Sequence, residues 1–283
     1  MKNVLRKVFI WFGIAAVGIA AAAPGSDGVA EKTPVILLKL DDLTSKGLKG
    51  STPVRHSWRI LDEYLHGLRI PYAVGVHCET FETDHPATID WMKERIERGD
   101  VEFWCHGFAS ARATRPDGTL EPGEFECSYE EQYATLRKCQ DLAKEKLGVP
   151  LRTFGEHWSG VNEQTGRALA AIPEFEIWLY SYGPAGPGEI SGKYVYPRYM
   201  SIEYRTFVPK LDEFRKQWEK VGKMQPVLVL QGHPQSWGWE PDTERWQEFR
   251  KIIDFLRSEG CTFSTPSEYY HNYGSKEMSR KAK

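Results

Sequence analysis

The strongest constraint on this chain is an alternation that runs from Thr33 to the C-terminus: a short apolar run, then a stretch with helical spacing, then another short run. Val35-Ile36-Leu37-Leu38-Lys39-Leu40 is the first run, and it ends on two acids, Asp41 and Asp42. A run so short and so apolar suits a parallel strand covered on both faces. From Val54 to Leu68 the spacing turns helical, with Trp58, Leu61, Leu65 and Leu68 on one side. Tyr72 to Val76 is the second run. Pro86 opens a helix at its first turn, and that helix ends at Arg98 before Gly99. Val101 to Trp104 is the third run, followed by a loop from Gly107 to Cys127 rich in Gly, Pro and Arg. Ser128 and Glu131 form a capping box for a helix that stops near Gly148.

The same order continues. Arg152 to Phe154 predicts a strand, Asn162 to Ile172 a helix, and Phe175 to Tyr180 a strand. Tyr182 to Ser201 reads as irregular and turn-rich. Pro209 to Val221 is helical and Pro226 to Leu230 an apolar strand. Asp242 to Glu259 is an amphipathic helix with Trp246, Phe249, Ile253 and Leu256 facing in, and Thr262 to Ser264 is a last strand. Alternation of this kind implies an α/β fold with a parallel sheet. Seven or eight strands in roughly 250 residues point to a (β/α) barrel, closed or incomplete. A doubly wound open sheet is the rival, but no Gly-rich dinucleotide turn follows the first strand. No internal repeat, linker or second domain is evident.

The first residues read differently. Lys2, Arg6 and Lys7 precede an apolar run from Val8 to Ala23, and Ala20, Ala21 and Ala22 offer an Ala-x-Ala cleavage site. This is the pattern of a secretory signal peptide. It predicts removal of residues 1–23, a domain over residues 24–283, and a secreted or periplasmic protein. The run is short for a membrane span of roughly 20 residues, no Cys lies nearby for a lipid anchor, and no other segment reads as a span. Five Cys lie beyond it, an odd number. Cys127–Cys139 and Cys78–Cys105 are both open as disulfides. A net charge of -2 supplies no field for nucleic acid or an anionic membrane.

In parallel α/β folds the chemistry sits at the carboxyl ends of the strands. Those ends carry Asp41 and Asp42 after the first strand, His77 after the second, His106 after the third, Glu156 and His157 after the fourth, and His233 after Pro226–Leu230. The chain has only eight His, and four fall at these ends, more than scatter would place there. Carboxylate and neutral imidazole together ligate a catalytic divalent metal such as zinc. A metal lowers the pKa of bound water towards about 7. One acid would hold the metal while its neighbour takes the proton of water.

These residues resemble motifs of the polysaccharide deacetylases of the NodB-homology fold. Leu40-Asp41-Asp42 resembles the acid pair that closes their first strand. Glu102-Phe103-Trp104-Cys105-His106-Gly107 is similar to the motif in which a His follows the third strand. Arg152-Thr153-Phe154-Gly155 through Asn162 resembles the third motif, which shapes a groove wall. Leu230-Gln231-Gly232-His233-Pro234 resembles the late motif with a second functional His, and Phe263 to Tyr269 also matches the family's ending. The resemblance implies a distorted (β/α) barrel of about seven parallel strands and hydrolysis of an acetyl group on a polysaccharide or oligosaccharide. It implies Asp41 as general base, Asp42 and His106 as ligands of a divalent metal such as zinc, and His233 as general acid.

One position departs from the family. A second His is expected four residues after the first, and Ser110 stands there. Three outcomes follow: His157 or His77 replaces the missing ligand, or Asp42 and His106 hold metal weakly with waters, or metal and activity are lost and a glycan-binding protein remains. For the substrate, Trp158, Trp237 and Trp239 flank His157 and His233, and at least one is expected to stack on a sugar ring, the alternative being a core or lid position. Arg152, and less so Arg198, would orient base or substrate. A glycoside hydrolase using two carboxylates, such as Asp42 and Glu156, is the remaining rival, and it leaves His106 and His233 unexplained.

Overall fold

The structure is a computed structural model that describes residues 33–276, apart from residues 84, 110, 111, 113, 159, 180–190, 239, 241 and 242. The signal-peptide reading of residues 1–23, Ser110 and Trp239 therefore lie outside the described residues.

The chain runs β1 (Val35–Leu43), α1 (His56–Gly67), β2 (Tyr72–Val76), α2 (Pro86–Arg98), β3 (Val101–Cys105), α3 (Tyr129–Leu147), β4 (Thr153–Phe154), α4 (Glu163–Ala170) and β5 (Ile177–Trp178). It continues through β6 (Tyr194–Val195), β7 (Met200–Ser201), β8 (Glu203–Arg205), β9 (Val208–Pro209), α5 (Leu211–Lys220), β10 (Val227–Gly232), α6 (Glu244–Ser258), β11 (Thr262–Phe263) and α7 (Pro266–Tyr269). Helix starts and stops follow the local signals. Pro86 sits at the first turn of α2, Gly99 ends it at φ 81°, and Ser128 and Glu131 complete the capping box of α3.

Nine strands form one sheet in the order β6-β5-β4-β3-β2-β1-β10-β7, with β11 also paired to β1, and every pairing in it is parallel. The two ends of this order, β6 and β7, are neighbours in sequence. One extended segment from Tyr194 to Ser201 therefore pairs with β5 at its start and with β10 at its end. That curls the sheet into a distorted (β/α) barrel of a single domain. The segment was expected to be irregular. Its strands are two residues each, too short to leave an alternating pattern. Strand β5 is likewise shorter than the expected Phe175–Tyr180.

Strand alternation sorts the side chains into two layers. On β1, Ile36, Leu38 and Leu40 face the helices and join the large outer core, while Leu37, Lys39 and Asp41 face the barrel interior. The inner core holds Leu37, Ala73, Trp104, Ile177, Leu179, Tyr196, Val229 and Tyr269. Trp104 fills the axis only because β2 offers no side chain at Gly75, where a Cβ would lie 2.5 Å from the indole. Below, α7 covers the lower mouth: the Ser267 N–H and hydroxyl each donate to half-buried Glu102 at 2.8 Å.

Candidate metal centre and active site

The same alternation brings the predicted strand-end residues together at the upper mouth. Continuing inward from Trp104 comes His106, from Ala73 and Gly75 comes His77, and from Val229 and Gln231 comes His233. A cavity of about 330 Å³ opens there, lined among others by Asp41, Asp42, His106, His157, Trp158, Arg198, Phe207 and His233.

Asp42 needs a local device, because the residue after an inward Asp41 should point outward. The β1–β2 register shifts between Leu40 and Leu43, and Asp42 takes a left-handed φ of 73°. Asp tolerates that region better than most side chains, and a bulge re-aims the residue it displaces. Both carboxylates thereby face the pocket. Asp42 Oδ1 lies 3.3 Å from His77 Nε2 and 3.2 Å from His106 Nε2, and Gln235 Nε2 donates to Asp42 Oδ2 at 2.7 Å.

Asp42, His77 and His106 are the described residues whose oxygen and nitrogen atoms could hold one metal ion here. The donor set fits. His106 Nδ1 donates to the Gly155 carbonyl at 2.7 Å, which fixes the tautomer and leaves Nε2 as the bare nitrogen facing Asp42. His77 Nε2 is buried without a hydrogen-bond partner. A tetrahedral zinc with bonds of about 2.0–2.1 Å sets its ligand atoms about 3.3 Å apart, which matches both distances from Asp42 Oδ1. Burial outweighs the pull of Asp41 and Asp42 and lowers the pKa of His106, favouring the neutral imidazole that a metal requires.

His157, the other replacement for the missing ligand, is placed elsewhere. Its Nε2 donates to Glu124 Oε2 at 3.2 Å, and its ring centroid lies 6.0 Å from that of His106 and 6.1 Å from that of His77. Glu124 also accepts the N–H groups of Phe108 and Ala109, at 2.8 and 2.6 Å, and so holds the turn that follows His106. Gly107 allows that turn: its φ is 85°, and a Cβ there would meet Glu124 at 2.6 Å and His157 at 2.7 Å.

Asp41 is fully buried beside the cluster. Lys39 Nζ donates to its oxygens at 2.8 and 2.6 Å and Gln231 Nε2 donates at 2.5 Å. Burial works against its charge, yet Lys39 first, then His106 and His233, lower its pKa. His233 Nε2 is 3.9 Å from Asp41 Oδ2 across the cavity. Its Nδ1 pairs with Glu203 Oε2 at 2.8 Å, and its backbone N–H donates to Glu203 Oε1 at 2.8 Å. Burial alone would lower the pKa of His233, but Glu203 and then Asp41 raise it, so the ring keeps its proton to higher pH. Glu203 also accepts Trp237 Nε1 at 2.7 Å and the Phe207 N–H at 2.8 Å.

Two substrate residues expected from the sequence are corrected. Trp237 is fully buried, packed against Trp246 and Phe249, and serves as a core side chain that braces Glu203. Arg152 immediately precedes β4, pairs with Glu176 at 2.8 Å, and lines a depression at the lower end of the sheet with Glu102 and Ser267. Of the disulfides left open by the sequence neither is present: all five Cys are free. Trp158 does line the cavity, with 68% of its surface exposed, and Arg198 lines it as well. Phe207 faces His233 edge-on at 5.0 Å. Sequence reading missed Lys39 and Gln231, although both lie two residues before a predicted site residue on the same strand face. It also missed Glu203, Phe207 and Glu124, which lie on segments with no periodic signal.

No family model and no curated protein matches the sequence. Solved structures do match. A family 4 acetyl xylan esterase from Clostridium thermocellum, in complex with a cobalt ion, is 12% identical with a TM-score of 0.51, covering 85% of this chain and 92% of its own. A CE4 family pseudoenzyme from Bacillus anthracis is 12% identical with a TM-score of 0.52, covering 84% and 66%. The Puue allantoinase is 12% identical with a TM-score of 0.58, covering 93% and 99%. At such identities the likeness is one of fold, and across most of its length this chain has the distorted barrel fold of the CE4 deacetylases and esterases.

Proposed function

We propose that this chain is a metal-dependent deacetylase that removes acetyl groups from a polysaccharide or oligosaccharide. The observation that carries the reading is the group Asp42, His77 and His106, with both imidazole nitrogens at tetrahedral spacing from Asp42 Oδ1, beside the carboxylate of Asp41 and the imidazole of His233. Deacetylation needs those parts: a cation, a base and an acid. The likeness of fold to an acetyl xylan esterase in complex with cobalt supports the reaction class.

Asp42, His77 and His106 would hold the ion, and zinc suits one carboxylate and two imidazoles. When bound, such an ion supplies Lewis acidity towards the acetyl carbonyl and acidifies water. The remaining work belongs to the chain. Lys39 keeps Asp41 ionised, and Asp41 accepts the proton of the attacking water. His233, kept protonated by Glu203, gives a proton to the departing amine or alkoxide. Trp158 and Phe207 at the mouth offer ring faces to a sugar, and Arg198 a positive group. Asp42 is engaged by two imidazoles and Gln235, which argues against its use as the carboxylate of a glycoside hydrolase.

The chain is further proposed to be exported after loss of residues 1–23, which N-terminal sequencing of the mature protein would check. For the main reading, protein purified without chelator is assayed for metal content and for acetate release from acetylated glycans. We expect about one metal per chain in the Asp42 group and acetate release that stops in Asp41→Asn without loss of that metal. Glycan binding with metal but no turnover would instead support a non-catalytic protein, as the CE4 pseudoenzyme neighbour allows. Chain cleavage without acetate would overturn the reading in favour of a glycoside hydrolase.

A further inference from the structure

Among the described residues a second group of metal-capable side chains lies outside the pocket. Cys78 follows His77 and Cys105 precedes His106. Strand alternation turns the Cys105 sulfur to the outer face of the sheet, where Cys78, the first residue of the short 3₁₀ helix Cys78–Phe81 after β2, and Cys139 of α3 meet it. The three Sγ atoms lie within 4.8 Å of one another, and Cys78 and Cys105 are 3.9 Å apart. All three are fully buried in the apolar layer between sheet and helices, and none is in a disulfide.

Buried free Cys often acts as a small apolar side chain, and packing alone asks for no particular partner. Here three of the chain's five Cys converge from three separate elements. The spacing of Cys78 and Cys105, at the range of an S–H···S contact in the metal-free protein, also suits a shared cation. Metal–thiolate bonds of about 2.3 Å put sulfurs about 3.8 Å apart in a tetrahedral array and about 4.0 Å apart in a trigonal one. A disulfide needs about 2.05 Å.

We propose that Cys78, Cys105 and Cys139 form a second metal site for a soft d10 cation, zinc(II) or copper(I), bound as three thiolates. Each thiol releases its proton to solvent as its sulfur–metal bond forms. Softness separates the two centres: three sulfurs select a thiophilic ion, whereas one carboxylate and two imidazoles form a harder set. The two sites stand back to back across the sheet. A cation on the sulfurs braces the same strand ends that carry His77 and His106.

The site is tested on the whole chain, purified under reducing conditions and titrated with cobalt(II). Thiolate-to-cobalt charge transfer absorbs in the near ultraviolet, and carboxylate or imidazole ligands give none. The wild type is expected to show this band by two equivalents, one for each site. His77→Ala and the double variant Cys127→Ser/Cys261→Ser should retain it, and Cys139→Ala should lose it. Cys139→Ser, closer in size, replaces Cys139→Ala should the latter not fold, and the wild-type spectrum carries the test even without either variant. Displacement of cobalt by zinc(II), or by copper(I) under reducing conditions, then identifies the preferred ion. No charge-transfer band in folded wild type overturns the proposal. So does a mass lower by two hydrogens with a disulfide mapped among the three Cys.

Discussion

Replacing His77 with alanine should weaken binding of the ion at the Asp42 group about 100-fold. His77 supplies one of three protein atoms there, 3.3 Å from Asp42 Oδ1, with Nε2 buried and otherwise unpartnered. Structural zinc sites with four ligands bind with about 10–16 kcal/mol, so one ligand is worth about 3 kcal/mol, or about two decades in affinity. Because that nitrogen makes no hydrogen bond within the protein, the metal-free fold loses only packing, and the apo variant should remain folded. The assay is competition for zinc against a chromogenic chelator at fixed pH, with Cys139→Ala in the background so that sulfur ligands do not contribute. His157→Ala is the counter-variant: its Nε2 is on Glu124, so zinc affinity should change less than about threefold, below 1 kcal/mol. The reasoning is refuted if His157→Ala loses the ion while His77→Ala keeps it.

Other outcomes follow from the same geometry. Glu203→Gln removes the charge that raises the pKa of His233, so the proton leaves the ring at lower pH. The alkaline limb of the acetate-release profile should move to lower pH, and an unmoved limb would exclude His233 as the acid. Trp237→Ala should cost about 3–5 kcal/mol in urea unfolding, as expected for a fully buried ring. Trp158→Ala, at an exposed ring, should change stability by less than about 0.5 kcal/mol while weakening glycan binding. Buried Asp62 accepts from Arg95, Arg98 and the Tyr72 hydroxyl, and Asp62→Asn should destabilise by about 3 kcal/mol, the low end for a buried pair because Arg98 is partly exposed. Burial opposes the Asp62 charge, but Arg98 and then Arg95 lower its pKa. Its contribution is therefore complete above the unfolded value of 3.8 and fades as pH falls through the lower folded value. Acid unfolding of Asp62→Asn should accordingly be the less steep of the two.

Much of this architecture is a local property of the chain. Apolar runs that end on Asp41, His77, His106 and His233, separated by capped helices, already require a parallel sheet with polar groups at one end, because strand direction and period-2 alternation are local. That period also explains why Lys39 and Gln231 belong with Asp41, and why Cys105 faces away from the neighbouring imidazole of His106. What lay beyond sequence was set by distance across the fold. The choice between His77 and His157 depends on where Glu124, from a loop without periodicity, places its carboxylate. Trp237 and Trp158 have the same chemistry, and only packing against Trp246 and Phe249 buries one while the other stays at the cavity mouth. The sequence left the Cys pairing open, because α3 docking on the sheet is what brings Cys139 to Cys78 and Cys105. The Asp41-Asp42 pair shows both sides: the sequence by itself marks it as the place of chemistry, but a register shift and a left-handed φ at Asp42 decide that both carboxylates face one cavity. Backbone sterics make such a turn costly for most residues, so it persists only where the surrounding tertiary structure holds it.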